Sequence, residues 1–156
     1  EDHAYTEVLA VMKGACANYV VDAQELWRRQ AFNHLITNVD DHLQNIGFLY
    51  MGDNQWQLSP AFDINPMPDK DRESKTWLSE DTGPITSMSQ LLGQASQFAL
   101  PREQSLAIVR ELVEAVLQWR AAGQSADVGM TTQELNEFAP AFEHSSLVEA
   151  KKLAGL

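Results

Sequence analysis

The chain has 156 residues, 44% of them hydrophobic and 21% charged, the composition of one ordinary globular domain large enough to build its own core. Its net charge of -11 argues against a surface that grips nucleic acid or an anionic membrane directly, and no apolar run is long enough to span a bilayer. The single cysteine, Cys16, leaves no internal disulfide, is expected as a small apolar filler, and fits a reducing cytoplasm. The opening residues read as the middle of a helix lead-in, the pattern expected of a fragment or processed product of something longer.

From Tyr5 to Met12, Val8, Leu9 and Met12 recur at helical spacing and predict a first helix, which Gly14 and the small residues around Cys16 loosen. Asn18 to Val21 is ambiguous. Asp22 with Glu25 reads as a capping pair that starts a strong helix from Ala23 to about Thr37. Trp27, Ala31, Phe32, Leu35 and Ile36 spread over a wide arc, with Arg29, Gln30 and Asn33 on the narrower polar side. An apolar arc that broad predicts a mostly buried central helix, with His34 a core residue whose nitrogen is satisfied.

Next comes Asn38-Val39-Asp40-Asp41-His42-Leu43-Gln44-Asn45. Beyond it, Ile46 to Tyr50, the turn Gly52-Asp53-Asn54 and Gln55 to Leu58 read as a β-hairpin. Ser59-Pro60 ends its second strand, and Gly47 is expected as an ordinary strand-start glycine. From Asn65 to about Thr86 the chain turns polar, with Asp69 to Lys75 a charge run and a short strand possible around Trp77-Leu78. Ser74, Thr76 and Ser79 are potential phosphorylation sites there. The remainder reads as helical. One helix is expected from Ser89 to about Phe98. Pro101 is expected to open another, whose stripe of Leu106, Val109, Val113 and Val116, with Leu112 and Leu117 alongside, ends near Gly123. After a connector from Gln124 to Met130, Thr131 and Glu134 form a second capping pair, and Pro140 should kink or end the helix that follows.

Asp40 is followed by Asn45 five positions on and by Asp63 eighteen further, after the hairpin. Protein-kinase catalytic loops have this order: a base Asp, an Asn at plus five, then a metal-binding Asp. One carboxylate orients and deprotonates the attacking hydroxyl, while an amide oxygen and a second carboxylate hold magnesium against nucleotide phosphates. Oxygen ligands on so short a turn suit a hard cation. Asp41 is the rival base, but it stands four positions from Asn45, so the base is Asp40 and Asp41 caps or braces the turn. Taken alone, Asn38 to Asp41 is equally at home in an ordinary turn. Two other functions compete. One is a metal-dependent hydrolase binding zinc or manganese through His34, Asp40, Asp41, His42 and Asp63. The other is a non-catalytic acidic interaction module derived from a kinase lobe.

The run Ala31-Phe32-Asn33-His34-Leu35-Ile36-Thr37-Asn38-Val39-Asp40-Asp41-His42-Leu43-Gln44-Asn45-Ile46-Gly47-Phe48-Leu49-Tyr50, then Trp56-Gln57-Leu58-Ser59-Pro60-Ala61-Phe62-Asp63-Ile64, closely resembles the HipA-like serine/threonine kinases. These are the toxin halves of bacterial toxin–antitoxin pairs. The resemblance implies Asp40 as catalytic base, and Asn45 and Asp63 as ligands for the magnesium of bound ATP. His42 belongs to the same loop motif at the cofactor site, where it shapes the loop. The resemblance also implies a protein substrate in the translation apparatus, such as an aminoacyl-tRNA synthetase, and a DNA-binding antitoxin as partner; the acidic charge argues for no direct nucleic-acid contact by this chain. The eight glycines are scattered, with neither GxGxxG nor GxxxxGK, and the family's clamping lysine, phosphate loop and regulatory serine lie upstream. The expected fold is therefore mainly α with a small β-hairpin: the helical C-terminal lobe of a protein-kinase-like fold, without the N-terminal lobe. It is expected as a single domain over 1–156, with the catalytic loop at 38–45, the metal-Asp segment at 61–66, a polar substrate-facing loop at 66–87 and a helical remainder at 88–156.

Overall fold

The longest helix, α2 (Tyr19–Ile36), is the axis of the molecule, because its apolar arc is too wide for one neighbour to cover. The computed structural model describes residues 3–69 and 73–156; Lys70, Asp71 and Arg72, part of the charge run expected as loop, lie outside the described residues. Leu26, Trp27, Ala31 and Leu35 of α2 have no measurable exposure, and the Trp27 indole N–H donates to the Leu91 carbonyl at 2.9 Å. The helix begins one turn before the expected capping pair. Ala17 N–H bonds to the Trp56 carbonyl at 2.9 Å and pins the chain there, so Asn18 takes the cap position and Asp22 N–H already bonds back to the Asn18 carbonyl. Asp22 is thus an interior residue with a buried carboxyl rather than a cap. Burial and that carboxylate push the Cys16 thiol up to about 11. Gln30, expected on the polar side, is buried as well.

Helix α1 (Tyr5–Ala15) lies against α2 and buries Tyr5, Leu9 and Met12, which share one face. At the other end of α2 the chain turns on Thr37, whose φ of +58° is the left-handed region. A β-branched residue is strained there. Two interactions hold it: Asn38 N–H closes back on the Asn33 carbonyl at 2.9 Å, and the Thr37 hydroxyl donates to the Ala141 carbonyl at 2.8 Å.

The expected hairpin forms as β1 (Phe48–Gly52) and β2 (Gln55–Leu58), antiparallel, with Tyr50 opposite Trp56. Asp53 and Asn54 both have positive φ, the tight hairpin turn that Asn and Asp tolerate. In the polar segment, β3 (Trp77–Ser79) realises the expected strand and pairs with β4 (Gly83–Pro84). Trp77 N–H bonds to the His3 carbonyl at 2.8 Å, which ties this small sheet to the start of α1. Thr76 and Ser79 are buried, so the structure does not present them for phosphorylation.

Helix α3 (Met88–Gln94) continues as a 3-10 turn over Ala95–Phe98. Pro101 stands at the cap of α4 (Arg102–Val116) rather than inside it; its backbone is extended and its carbonyl accepts from Ser105 N–H. The apolar stripe does not run on to Gly123. The chain breaks at Leu117, which is largely exposed, and restarts as α5 (Trp119–Gly123), which lets Trp119 stack on Phe142 with centroids 4.4 Å apart. The Thr131–Glu134 capping box opens α6 (Thr132–Phe142) as expected, and Pro140 sits inside that helix two residues before its end. Last, α7 (Ser145–Ala154) packs on α4 through Leu147 and Ala150. No helix among the described residues is long and apolar enough to cross a membrane.

One long-range cap carries a pH dependence. Glu149 of α7 accepts from Met88 N–H, Ser89 N–H and the Ser89 hydroxyl at 3.1, 3.2 and 2.6 Å, placing a carboxylate on the N-terminus of α3. Burial pushes this carboxyl up, but those bonds and nearby His34 outweigh it and hold it below the usual glutamate range. A depressed folded-state pKa stabilises above the unfolded value and stops doing so as pH falls through the folded value. Glu149→Gln is expected to cost about 1 kcal/mol at neutral pH. Thermal melts across pH should show the wild-type advantage shrinking on acidification below the ordinary glutamate range, as pH falls through the depressed folded-state pKa.

Candidate active site

From Thr37 the chain runs without regular secondary structure to His42 and closes with a 3-10 turn over Leu43–Asn45 before entering β1. Neighbouring side chains on this run part company. Asp41 is buried, while the Asp40 side chain is 46% exposed. Asp41 is the brace expected of it. One carboxylate oxygen accepts from the Tyr5 hydroxyl at 2.9 Å, the other from Lys75 N–H at 2.6 Å and Thr76 N–H at 3.4 Å. Its carbonyl accepts from the Thr76 hydroxyl at 2.7 Å and from Tyr5 at 3.2 Å. Burial pushes the Asp41 carboxyl up, against the pull of those donors. Burial, and then the Asp41 charge, also lift the Tyr5 phenol well above its ordinary value, so Tyr5 stays protonated and donates.

Asp40 faces outward, with one carboxylate oxygen 3.8 Å from His42 Nε2. The Asn45 side-chain N–H₂ donates to the Asp40 carbonyl at 2.9 Å, so the residue at plus five closes the loop onto the backbone of the residue it follows. That bond commits the amide nitrogen and leaves the amide oxygen of Asn45 as an acceptor. Asp63 is exposed, and its φ of +54° puts a non-glycine residue in the left-handed region, with Asn65 donating to its carboxylate at 2.8 Å. Backbone strain held in place by its surroundings gathers at functional sites. His42, Asn45 and Asp63 line one small cavity, which Asp41, Asn38 and Gln30 share. Asp40 is joined to that wall through Asn45 and His42.

The segment that delivers Asp63 is held from two sides. The Arg29 guanidinium donates to the Ser59 carbonyl at 2.7 Å. Gly47 precedes β1 rather than starting it, and a Cβ there would come within 2.8 Å of Ser59 Oγ and 3.1 Å of Phe62. This glycine is a close-packing position. His34 is buried in the core within electrostatic reach of Glu149. Among the described residues no three His, Cys, Asp or Glu side chains come together as a metal site. With His34 in the core and Asp41 committed to hydrogen bonds, the arrangement does not support the hydrolase reading.

Sequence reasoning did not place Tyr5, Arg29, Gln30 or Thr76 around this loop. Tyr5 lies 36 positions from the residue it braces, and nothing local marks it.

The family model described as HipA-like C-terminal domain matches residues 1–120. The chain belongs to the HipA-like family. No curated protein matches it. The HipA-like family is a family of kinases and toxins, and the matched span holds α1 through α4, both hairpins, and the loop with Asp40, Asn45 and Asp63. Helices α6 and α7 fall after the match.

Proposed function

We propose that this HipA-like chain is the catalytic-loop-bearing lobe of a serine/threonine protein kinase that transfers the γ-phosphoryl group of ATP to a protein hydroxyl. The observation that carries the reading is the split between Asp40 and Asp41: a buried, fully bonded carboxylate fixes the backbone, and its neighbour is left half-exposed beside Asn45 and His42. Asp40 accepts the proton of the incoming hydroxyl as that oxygen attacks the γ-phosphorus and the bond to ADP breaks. Asn45 and Asp63 offer an amide oxygen and an exposed carboxylate on one cavity, a donor set that fits a hard divalent cation. Magnesium bound there would offset the negative charge of the phosphates. His42 keeps the loop's shape beside Asp40. By the family resemblance, the substrate is a protein of the translation apparatus, such as an aminoacyl-tRNA synthetase, and the restraining partner is a DNA-binding antitoxin.

Phosphoryl transfer is catalysed by positioning and charge, and this chain has no glycine-rich phosphate loop. The 156 residues alone are therefore expected to turn over little or no ATP. Binding is the direct test. Manganese-ATP is titrated against the chain and its Asp63→Ala variant, following water-proton relaxation, and the pair is repeated on protein extended upstream. Binding is expected to weaken by about tenfold or more in the variant, the loss of one charged ligand. Equal binding in both, or none even in the extended protein, would sink the assignment.

A further inference from the structure

The polar loop at 66–87 is fastened at two points, to the end of α2 and to the catalytic loop. Near its start, Met67 N–H donates to the Thr37 carbonyl at 3.1 Å. Farther on, Lys75 and Thr76 donate to Asp41 through both backbone amides and the Thr76 hydroxyl. The segment is also closed on itself, since the Ser74 hydroxyl donates to the Thr76 carbonyl at 2.9 Å and accepts from Ile85 N–H at 2.9 Å. Its fixed points therefore fall at Thr37, where α2 ends, and at Asp41 in the catalytic loop, on either side of the base. Tyr5 completes the joint from below by occupying the second carboxylate oxygen of Asp41.

We propose that Asp41 is a positioning residue that couples the segment around Lys75–Thr76 to Asp40, so that the substrate-facing loop and the base keep one fixed separation. The inference rests on the kinase reading for what Asp40 does, but the joint itself is a property of the chain. A carboxylate suits it because every partner is a donor. Asparagine can replace it at one cost. Its oxygen would keep the Lys75 and Thr76 amides, and its N–H₂ would turn to Tyr5, whose hydroxyl can accept while donating to the backbone carbonyl of residue 41. Alanine has no such option, and Tyr5→Phe removes the acceptor on which asparagine depends.

The test is amide hydrogen exchange on the full chain in four forms: wild type, Asp41→Ala, Asp41→Asn, and Asp41→Asn with Tyr5→Phe. In Asp41→Ala the Lys75 and Thr76 amides are expected to lose protection by about tenfold more than core amides such as those of Trp27 and Leu91. Asp41→Asn is expected to stay within about threefold of wild type at these amides, and adding Tyr5→Phe to bring the loss back. A uniform fall across core and loop would mean that Asp41 serves global stability only, and would overturn the proposal. So would an asparagine variant indistinguishable from alanine. Manganese-ATP titration of the wild-type chain extended upstream separates the two claims: absent binding defeats the kinase reading and leaves the exchange result standing.

Discussion

Asp40→Ala is expected to lower phosphoryl transfer roughly 10³-fold in protein extended upstream to carry the nucleotide clamp, the scale of a lost general base. Manganese-ATP affinity should barely change if Asp40 lies beside the proposed metal ligands Asn45 and Asp63 rather than among them. In the structure its carbonyl, and not its carboxylate, is bonded to Asn45. Single-turnover rates and binding constants on the same preparation read both quantities. A variant that loses nucleotide affinity and rate together would put Asp40 among the ligands and move the base elsewhere. Turnover by the 156-residue chain alone, abolished by the same substitution, would show that the upstream clamp is dispensable.

Trp27→Ala is expected to cost about 4 kcal/mol, the upper range for emptying a large buried site. Trp27 has no exposure, heads the fully buried side chains of the core, and gives its indole N–H to the Leu91 carbonyl. Its removal would leave both a cavity and an orphaned carbonyl on α3. Trp27→Phe keeps most of the volume and should cost about half as much. Chemical denaturation distinguishes the two. A loss below about 1 kcal/mol for alanine would mean that α2 is not the axis on which the loop is built.

The parts of this fold that could be read from sequence are those whose cause is local. The Asp53-Asn54 turn, the Thr131–Glu134 box and the wide apolar arc of α2 each depend on residues a few positions apart, and each forms as expected. The spacing that singled out Asp40, Asn45 and Asp63 is local in the same sense, spanning one loop and one hairpin. Errors arose where a distant contact decided the outcome. Asp22 and Glu25 have the right spacing for a cap, yet the bond from Ala17 to Trp56 starts the helix a turn earlier. Gln30 looks polar by type and is buried because α1 and the catalytic loop close over it. The stripe through Leu117 is continuous in sequence, and it is the stacking of Trp119 on Phe142 that fits a break there. Similarly, the loop's residues could be picked out by their spacing, but their support from Tyr5, Lys75 and Thr76 could not.

The left-handed turn at Thr37 has a consequence for where this molecule can be divided. Its hydroxyl is bonded to the Ala141 carbonyl, and two residues earlier the Leu35 carbonyl is bonded to His144 Nε2 at 2.8 Å. Both anchors lie after residue 120, where the family match stops. The edge of shared sequence is thus not the edge of the folding unit. A cut made there would remove the side-chain bond that holds Thr37 in its strained conformation and leave only the backbone bond from Asn38 to Asn33, while keeping every residue of the loop in place. Relatives ending at that boundary would need another way to hold the hinge, such as a glycine at the position of Thr37.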